Sequence, residues 1–153
     1  MEQEKYLQCK KVYEDFCKYL DQKGIIYEGH LDELRLKYVM KGTGLDLNMI
    51  VYVNTDFCTL NFLSLLPFSV KQEYAEELSS SLTKINYTLQ FGCFAYDLTR
   101  QSVSYKICTP FEDSLIGNGL FDVLFHISLS TVQDYSDKLY LISHGYAAAT
   151  DVE

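Results

Sequence analysis

The side chains that most often perform acid–base or metal chemistry are scattered along this sequence. His30, His126 and His144 lie far apart, and no His-x-x-x-His or Glu-x-x-His spacing places two ligands on one helical face. Seven of the 21 acidic residues fall in two predicted helices, on faces that the polar spacing assigns to solvent, and the others are scattered. The sequence therefore predicts no catalytic residue, no metal-ligating residue and no cofactor.

Motifs that bind phosphate or activate a nucleophile are absent from the sequence. It contains no Walker loop, no Gly-x-Ser-x-Gly motif and no dinucleotide fingerprint. Gly42-Thr43-Gly44 has two glycines but lacks the strand-to-helix context of a phosphate loop, so it is interpreted as a hairpin turn. We therefore expect a protein that is not an enzyme. The alternative is a small-molecule-binding protein or an enzyme of unknown reaction.

Two polar residues stand next to predicted apolar surfaces. Asn86 lies one turn after Leu82 and beside Ile85, which places its amide at the edge of a buried helical stripe. The favoured interpretation is a side chain that hydrogen-bonds neighbouring backbone, because buried polar groups are normally paired. Asp97 is expected to face Ser104 in a surface cross-strand pair, which adds little stability.

Five cysteines occur without a Cys-x-x-Cys motif or a His/Cys ligand pattern. The odd number, in a chain whose first residues show no signal peptide, is typical of reduced thiols in the cytoplasm. The hairpin register given below would place Cys93 opposite Cys108, close enough for oxidation to be conceivable after adjustment. Cys9 and Cys17 lie about 12 Å apart along one helix and cannot form a disulfide. We expect all five thiols to be reduced.

Asn86, Cys93 and Asp97 lie in the stretch from Ser69 to Lys106, which is predicted to be a helix followed by a hairpin. Ser69 and Gln72 have the spacing of a capping box. Apolar residues then recur at steps of four or three, at Val70, Tyr74, Leu78, Leu82, Ile85 and Leu89. Gly92 is expected to end the helix in the left-handed conformation.

The hairpin is predicted from two strands in which apolar and polar residues alternate. A four-residue loop at Thr99 to Ser102 gives one register that places every large side chain on the same face. That register pairs Leu98 with Val103, Tyr96 with Tyr105, and Phe94 with Ile107.

Outside Ser69 to Lys106, the sequence predicts a first helix, several strands after it, and helices at the C-terminal end. The first helix spans about Glu4 to Lys23 and stops at Gly24. Alternation predicts strands at Ile25 to Glu28, Leu34 to Met40, Leu45 to Val53 and Phe57 to Leu66, with a turn at Asn54-Thr55-Asp56. Ile50 and Tyr52 make the third strand apolar on both faces, which indicates a central or covered strand.

Beyond Pro110 the chain is expected to be mainly helical. Leu120 to Leu129 is apolar nearly all round and predicts a buried helix, and Ser130 or Thr131 is expected to cap a last helix that Gly145 ends. The residues from Ala147 to Glu153 are expected to fray. Because adjacent strands are joined by short turns, the whole order predicts an α+β domain with an antiparallel sheet.

Length and charge exclude several classes of protein. At 153 residues the chain is expected to form a single domain, residues 1–153. A formal net charge of −8 without a Lys/Arg cluster predicts no binding to nucleic acid. No apolar run approaches the roughly 18 residues of a membrane span, so we expect no membrane insertion. A cytoplasmic location is the expectation.

One run of residues resembles a known family. Ile85-Asn86-x5-Gly92-x-Phe94-x-Tyr96-Asp97, followed by Val103-x-Tyr105-Lys106, is similar to the hallmark segment of the bacterial YbjN family. The likeness extends to Leu66-Pro67-Phe68 and Asp134-Tyr135, although Thr99 to Ser102 lacks the glycine that relatives carry in the hairpin loop. The resemblance marks Asn86, Gly92, Phe94, Asp97 and Tyr105 as structural motif residues.

The YbjN family in turn resembles the small acidic chaperones of type III secretion. The resemblance implies an α-β-β-β-α-β-β-α sandwich, a homodimer, and extended client segments as partners. It also implies a regulatory role, because the family is described as sensory transduction regulators. Fold likeness does not by itself transfer function.

Two classes of function therefore compete for this sequence. Strand edges could accept an extended segment by β-addition, and 13 tyrosines could serve a binding surface. The acidic field would attract basic clients or steer a partner. An enzyme would need titratable groups that converge in a cleft, for which the sequence offers no motif. We expect a non-enzymatic, chaperone-like or adaptor protein that binds a polypeptide partner.

Overall fold

The computed structural model describes residues 1–152, in which one antiparallel sheet packs against three helices. The six strands lie in the spatial order β1-β2-β3-β4-β6-β5. Their bounds are Glu28–His30 (β1), Arg35–Met40 (β2), Leu47–Asn54 (β3), Thr59–Ser69 (β4), Cys93–Asp97 (β5) and Ser102–Pro110 (β6). The predicted α+β class is confirmed. The short β1, expected at Ile25 to Glu28 and formed three residues later, adds one strand to the α-β-β-β-α-β-β-α order.

The three helices are α1 (Glu2–Gln22), α2 (Ala75–Thr88) and α3 (Asn118–Ser143). Helices α1 and α3 pack on the side chains that alternate along the central strands, and these form the core. Buried side chains on the sheet include Leu36, Tyr38, Met49, Val51, Leu60, Phe62, Tyr105 and Ile107. The ring of Phe16 on α1 meets Phe62 edge-on at 5.2 Å, and the ring of Phe125 on α3 stacks on Tyr38 at 5.7 Å. One face of the sheet is therefore covered.

Helix α1 ends as its sequence predicts. Gly24 has a φ of +72°, and the N–H groups of Gly24 and Ile25 donate to the carbonyls of Asp21 and Leu20. This pair of hydrogen bonds is the Schellman arrangement, in which glycine takes the left-handed position without a steric penalty from a Cβ. The predicted stop at Gly24 is confirmed.

The predicted start of the second helix is wrong. Ser69 is the last residue of β4, and α2 begins only at Ala75, after a short 3-10 turn at Gln72–Tyr74. The N–H of Val70 donates to the carbonyl of Gln101 at 2.8 Å, which keeps this segment extended. Gln72 then accepts a hydrogen bond from the side chain of Gln101 and does not close a capping box with Ser69.

The predicted end of the second helix is also wrong. Helix α2 ends at Thr88, and Leu89 is already extended. Gly92 does have a φ of +71°, but it lies in the turn that leads into β5. Its left-handed backbone serves the entry to the hairpin and does not serve as a helix cap.

The hairpin register is offset by two residues from the prediction. Phe94 pairs with Tyr105 and Tyr96 pairs with Val103, so the expected pairing of Phe94 with Ile107 is wrong. Asp97 closes the loop, because its Oδ1 accepts hydrogen bonds from the N–H groups of Thr99 and Arg100. A shift of two residues leaves every side chain on its predicted face.

The same offset changes two polar expectations. Cys93 lies opposite Lys106 and not opposite Cys108, and Asp97 lies opposite Ser102 and not opposite Ser104. The carboxylate of Asp97 therefore belongs to the turn and not to a cross-strand pair.

The C-terminal part differs from the prediction in two ways. Asn118–Ser143 is one continuous helix, and the hydroxyl of Ser130 donates to the Ile127 carbonyl of that helix and does not cap a new one. The expected fraying is wrong for residues 147–152, because Ala149–Val152 forms a 3-10 turn and its Ala149 N–H donates to the Glu77 carboxylate. Glu153 lies outside the described residues.

Candidate functional site

The second face of the sheet carries the other half of the alternating side chains and is not packed into the core. Its apolar centre consists of Ile50 and Tyr52 on β3 and Leu63 and Leu65 on β4. Ile50, Tyr52 and Leu63 are half-buried, and Leu65 is exposed. The sequence left open whether β3 is a central or a covered strand. It is central, since it lies between β2 and β4. We call this surface the open face.

Charged side chains flank the apolar centre of the open face. The register aligns Lys37, Ile50, Leu63 and Lys106 in one row across four strands. Lys37 lies 3.5 Å from the carboxylate of Glu28, whereas no acidic side chain within residues 1–152 forms an ion pair with Lys106. A surface with an apolar centre and a polar rim has the composition of a protein–protein interface.

A cleft of about 580 Å³ opens where the open face meets the β5 side of the sheet. Its apolar walls include Phe91, which precedes β5, and Leu120, Val123 and Ile127 of α3. Phe91 is 48% exposed and Val123 is 47% exposed, so two large apolar side chains face solvent across this cleft. Sequence reasoning missed it, because the apolar run at Leu120 to Leu129 was interpreted as fully buried.

Asn86 on α2 is a backbone partner for β5. Its Nδ2 donates to the carbonyl oxygen of Phe94 at 2.9 Å, and the N–H of Phe94 donates to Asn86 Oδ1 at 2.8 Å. The side-chain amide therefore takes the place of a neighbouring strand at this residue. The expected hydrogen bonding of Asn86 to nearby backbone is confirmed.

Gly92, Phe94 and Tyr105 lie together next to Asn86. The hydroxyl of Tyr105 donates to the Phe91 carbonyl at 2.9 Å, and its ring lies 5.3 Å from that of Phe94. A Cβ on Gly92 would overlap the Tyr105 hydroxyl and approach the Lys106 carbonyl oxygen to 2.6 Å, which requires glycine there. Burial raises the pKa of Tyr105, so its hydroxyl stays protonated as a donor.

These contacts bring four of the five motif residues into one cluster, and Asp97 stands apart at the hairpin loop. The cluster consists of hydrogen-bonded backbone and packed rings, without convergent ionisable groups. That its residues serve the fold and bind no ligand stays a prediction.

The three histidines lie in separate places. His30 pairs with Glu28 at 3.5 Å, His126 lies 3.4 Å from Asp122, and the Nδ1 of His144 contacts the Tyr140 carbonyl. Within residues 1–152 there is no group of three or more His, Cys, Asp or Glu side chains that could hold a metal ion.

The five cysteines are free, and the pair that meets is one that sequence spacing did not indicate. The Sγ atoms of Cys9 on α1 and Cys58 in the β3–β4 turn lie 3.7 Å apart in the core. Burial raises the pKa of the Cys9 thiol and keeps it protonated. Cys93 and Cys108, in contrast, are both exposed on the open face.

Comparison with known proteins gives a fold relationship. No protein-family model matches the sequence, and no curated protein matches it either. The crystal structure of YbjN from E. coli superposes with a TM-score of 0.63 over 87% of this chain and 92% of that chain, at 11% identity. The chain has a YbjN-like fold.

A second solved structure has the same fold. The ExsC–ExsE complex contains a chain that matches with a TM-score of 0.61 at 10% identity, over 86% of this chain and 95% of that chain. The expected likeness to YbjN and to type III secretion chaperones is therefore confirmed for the fold. Within residues 1–152, no helix is long and apolar enough to span a bilayer.

Proposed function

We propose that this protein is a non-enzymatic adaptor or chaperone-like protein that binds a polypeptide partner on the open face. The observation that carries the proposal is the apolar centre of that face, Ile50 and Leu63 between Lys37 and Lys106. A flat strip of this kind suits an extended segment, whose side chains meet the apolar centre while its polar groups meet the lysines.

The charge distribution refines the expected partner. The acidic residues that dominate the net charge of −8 lie largely on helices and loops, whereas the open face presents Lys106 without an acidic partner in residues 1–152. A segment with acidic and apolar residues therefore complements this face better than a basic one does. The second neighbour, a complex of ExsC with ExsE, supports a fold that associates with another protein.

The test compares two matched substitutions, Leu63→Lys on the open face and Leu7→Lys on α1, where Leu7 is 57% exposed. We expect proteins recovered with the tagged wild type to be recovered equally with Leu7→Lys. With Leu63→Lys we expect recovery to fall by at least about tenfold, because a charge would be placed in the apolar centre of the interface. Quantitative mass spectrometry measures both ratios, and matching urea midpoints verify that both variants fold.

Equal recovery with both variants would contradict binding on the open face. If no protein is recovered and native mass spectrometry finds a retained small molecule instead, the ligand-binding or enzymatic alternative replaces this proposal.

We also propose that the protein forms a homodimer through the exposed side of α2. Tyr87 is 91% exposed there, beside a cleft of about 570 Å³ lined by Thr83, Lys84, Thr88 and Tyr135. A solvent-exposed tyrosine with an apolar body is a typical interface anchor. Sedimentation equilibrium is expected to give twice the chain mass for the wild type and a shift toward the monomer for Tyr87→Ser. A monomeric wild type at all accessible concentrations would contradict the dimer.

The cellular location of the protein and the classes of partner that it is not expected to bind are proposals as well. We infer a cytoplasmic, reducing location from five free cysteines, two of them exposed. The net charge of −8 argues against nucleic acid as a partner. A membrane partner is likewise not proposed.

A further inference from the structure

The outer edge of β6 is only partly covered by β5. Strand β6 runs over Ser102–Pro110, whereas β5 spans only Cys93–Asp97 and its first residue pairs with Lys106. Beyond that point β6 pairs with β4 on one side, and no strand of residues 1–152 pairs with its other side. The last part of β6 is therefore an open strand edge.

The alternation of hydrogen-bonded and non-bonded pairs between β4 and β6 identifies which β6 residue directs its backbone groups toward this open edge. The N–H of Phe111 donates to the Cys58 carbonyl at 3.0 Å, in continuation of the β4–β6 ladder. Because bonded and non-bonded pairs alternate in an antiparallel ladder, Thr109 and Ile107 direct their backbone groups to β4. Cys108 lies between them, so its N–H and carbonyl point outward.

At the neighbouring edge, which belongs to β5, a side chain occupies outward backbone groups. By the same alternation the outward backbone groups of β5 belong to Phe94 and Tyr96, and the two groups of Phe94 are occupied by the side chain of Asn86. Natural proteins commonly block exposed strand edges, for example by covering them with a helix. The outward groups of Cys108 have no such partner within residues 1–152, so the backbone at the end of β6 is accessible beside the cleft.

The cleft of about 580 Å³ lies directly beside this edge. A residue paired with Cys108 would point its side chain to the open face, as Cys108 does, next to Lys106. The residues before and after it would point to the other side, where Phe91 and Val123 line the cleft. The edge and the cleft together therefore fit an alternating sequence of apolar, acidic and apolar residues.

We propose that the outer edge of β6 at Cys108 accepts an extended segment of a partner polypeptide by backbone pairing. The central acidic residue of that segment faces Lys106, and its two apolar neighbours fill the cleft between Phe91 and Val123. This inference rests on the proposed function and names the site and the partner sequence. It is a β-addition site of a few residues, with the cleft supplying the side-chain contacts.

The test selects binders from short random peptides displayed on phage and measures them as synthetic peptides by titration calorimetry. We expect enrichment of the apolar–acidic–apolar pattern. Val123→Glu should weaken the selected peptide by at least about tenfold, since it puts a carboxylate into the cleft and repels the acidic residue. Leu141→Glu is the matched control, because Leu141 is 39% exposed near the other end of α3 and does not line the cleft, and it should leave the affinity unchanged.

Backbone pairing is tested by methylating the peptide at the nitrogen of its central residue. This change removes one donor without altering a side chain, and we expect a loss of about tenfold. Bound peptide should also slow alkylation of Cys108 by iodoacetamide in a Cys93→Ser background, since the thiol lies beside the added strand.

The outcomes separate this site from the general proposal. If peptides bind the wild type and Val123→Glu with the same affinity, the β6 edge is the wrong site while polypeptide binding stands. If no peptide is enriched although protein recovery depends on Leu63, the edge proposal fails alone. If Val123→Glu converts a dimer to a monomer, a second copy of the chain covers the cleft and the proposal is overturned. If neither peptides nor proteins bind, both proposals fail.

Discussion

Replacement of Phe16 by alanine is expected to lower the free energy of unfolding by about 3–5 kcal/mol. Phe16 is fully buried on α1 and its ring contacts Tyr19, Phe62 and Phe121, with centroid distances of 5.6, 5.2 and 5.4 Å. It therefore joins α1 to the sheet and to α3. Removal of the ring leaves a cavity between three elements, and the rigid packing of the sheet limits collapse into it.

Urea unfolding followed by circular dichroism measures this effect. Phe57→Ala is the matched control, because Phe57 is 73% exposed in the β3–β4 turn and should change the midpoint little. Domains of this size are commonly stable by only about 5–15 kcal/mol, so Phe16→Leu is the second variant in case the alanine form does not fold. Equal midpoints for Phe16→Leu and Phe57→Ala would contradict the assigned role of the ring.

Replacement of Asn86 by alanine is expected to lower the free energy of unfolding by about 1–3 kcal/mol. The alanine variant loses both hydrogen bonds to Phe94 and leaves a partly buried N–H and carbonyl without their partners. Asn86→Asp should be destabilising as well, because a carboxylate can accept from the Phe94 N–H but faces the Phe94 carbonyl without a proton to donate.

Amide hydrogen exchange gives a readout that separates the hydrogen bond from general packing. In Asn86→Ala the amide proton of Phe94 should exchange much faster, while amides of β3 in the sheet centre keep their protection once global stability is corrected for. Asn118→Ala is the control, since Asn118 is exposed and its amide contacts only the exposed Gln22. Unchanged exchange at Phe94 would show that the amide of Asn86 is not its partner in solution.

The role of Asn86 bears on function as well as stability. With Phe94 occupied, the part of the β5 edge nearest the cleft is closed, and the backbone of Cys108 is the accessible one beside the cleft. Loss of Asn86 would open a second edge next to the first. The fold thus uses one side-chain amide to restrict where another chain could pair.

Local patterns in the sequence determined most of the elements. Helix α1 follows from an apolar stripe and from the left-handed glycine Gly24, which needs only residues within two turns of one another. The turn at Asn54 follows from a side chain whose Oδ1 accepts from the N–H groups of Asp56 and Phe57. Alternation along β2 and β3 fixed which side chains share a face, and a register offset of two residues did not disturb it in the hairpin.

Contacts between distant residues decided the rest. Val70 is held extended by the distant Gln101, so the spacing of Ser69 and Gln72 does not produce a capping box. The hairpin register was missed for a local reason, because alternation permits any even shift and the turn that Asp97 forms with Thr99 and Arg100 selects one. Likewise Ile50 and Leu63 are apolar enough to be covered, yet all three helices pack on the opposite face of the sheet. Periodicity reports which residues lie together on one side of an element, whereas the choice of partner depends on free energies that arise only when separate elements meet. The open face and the open edge at Cys108 are consequences of that choice.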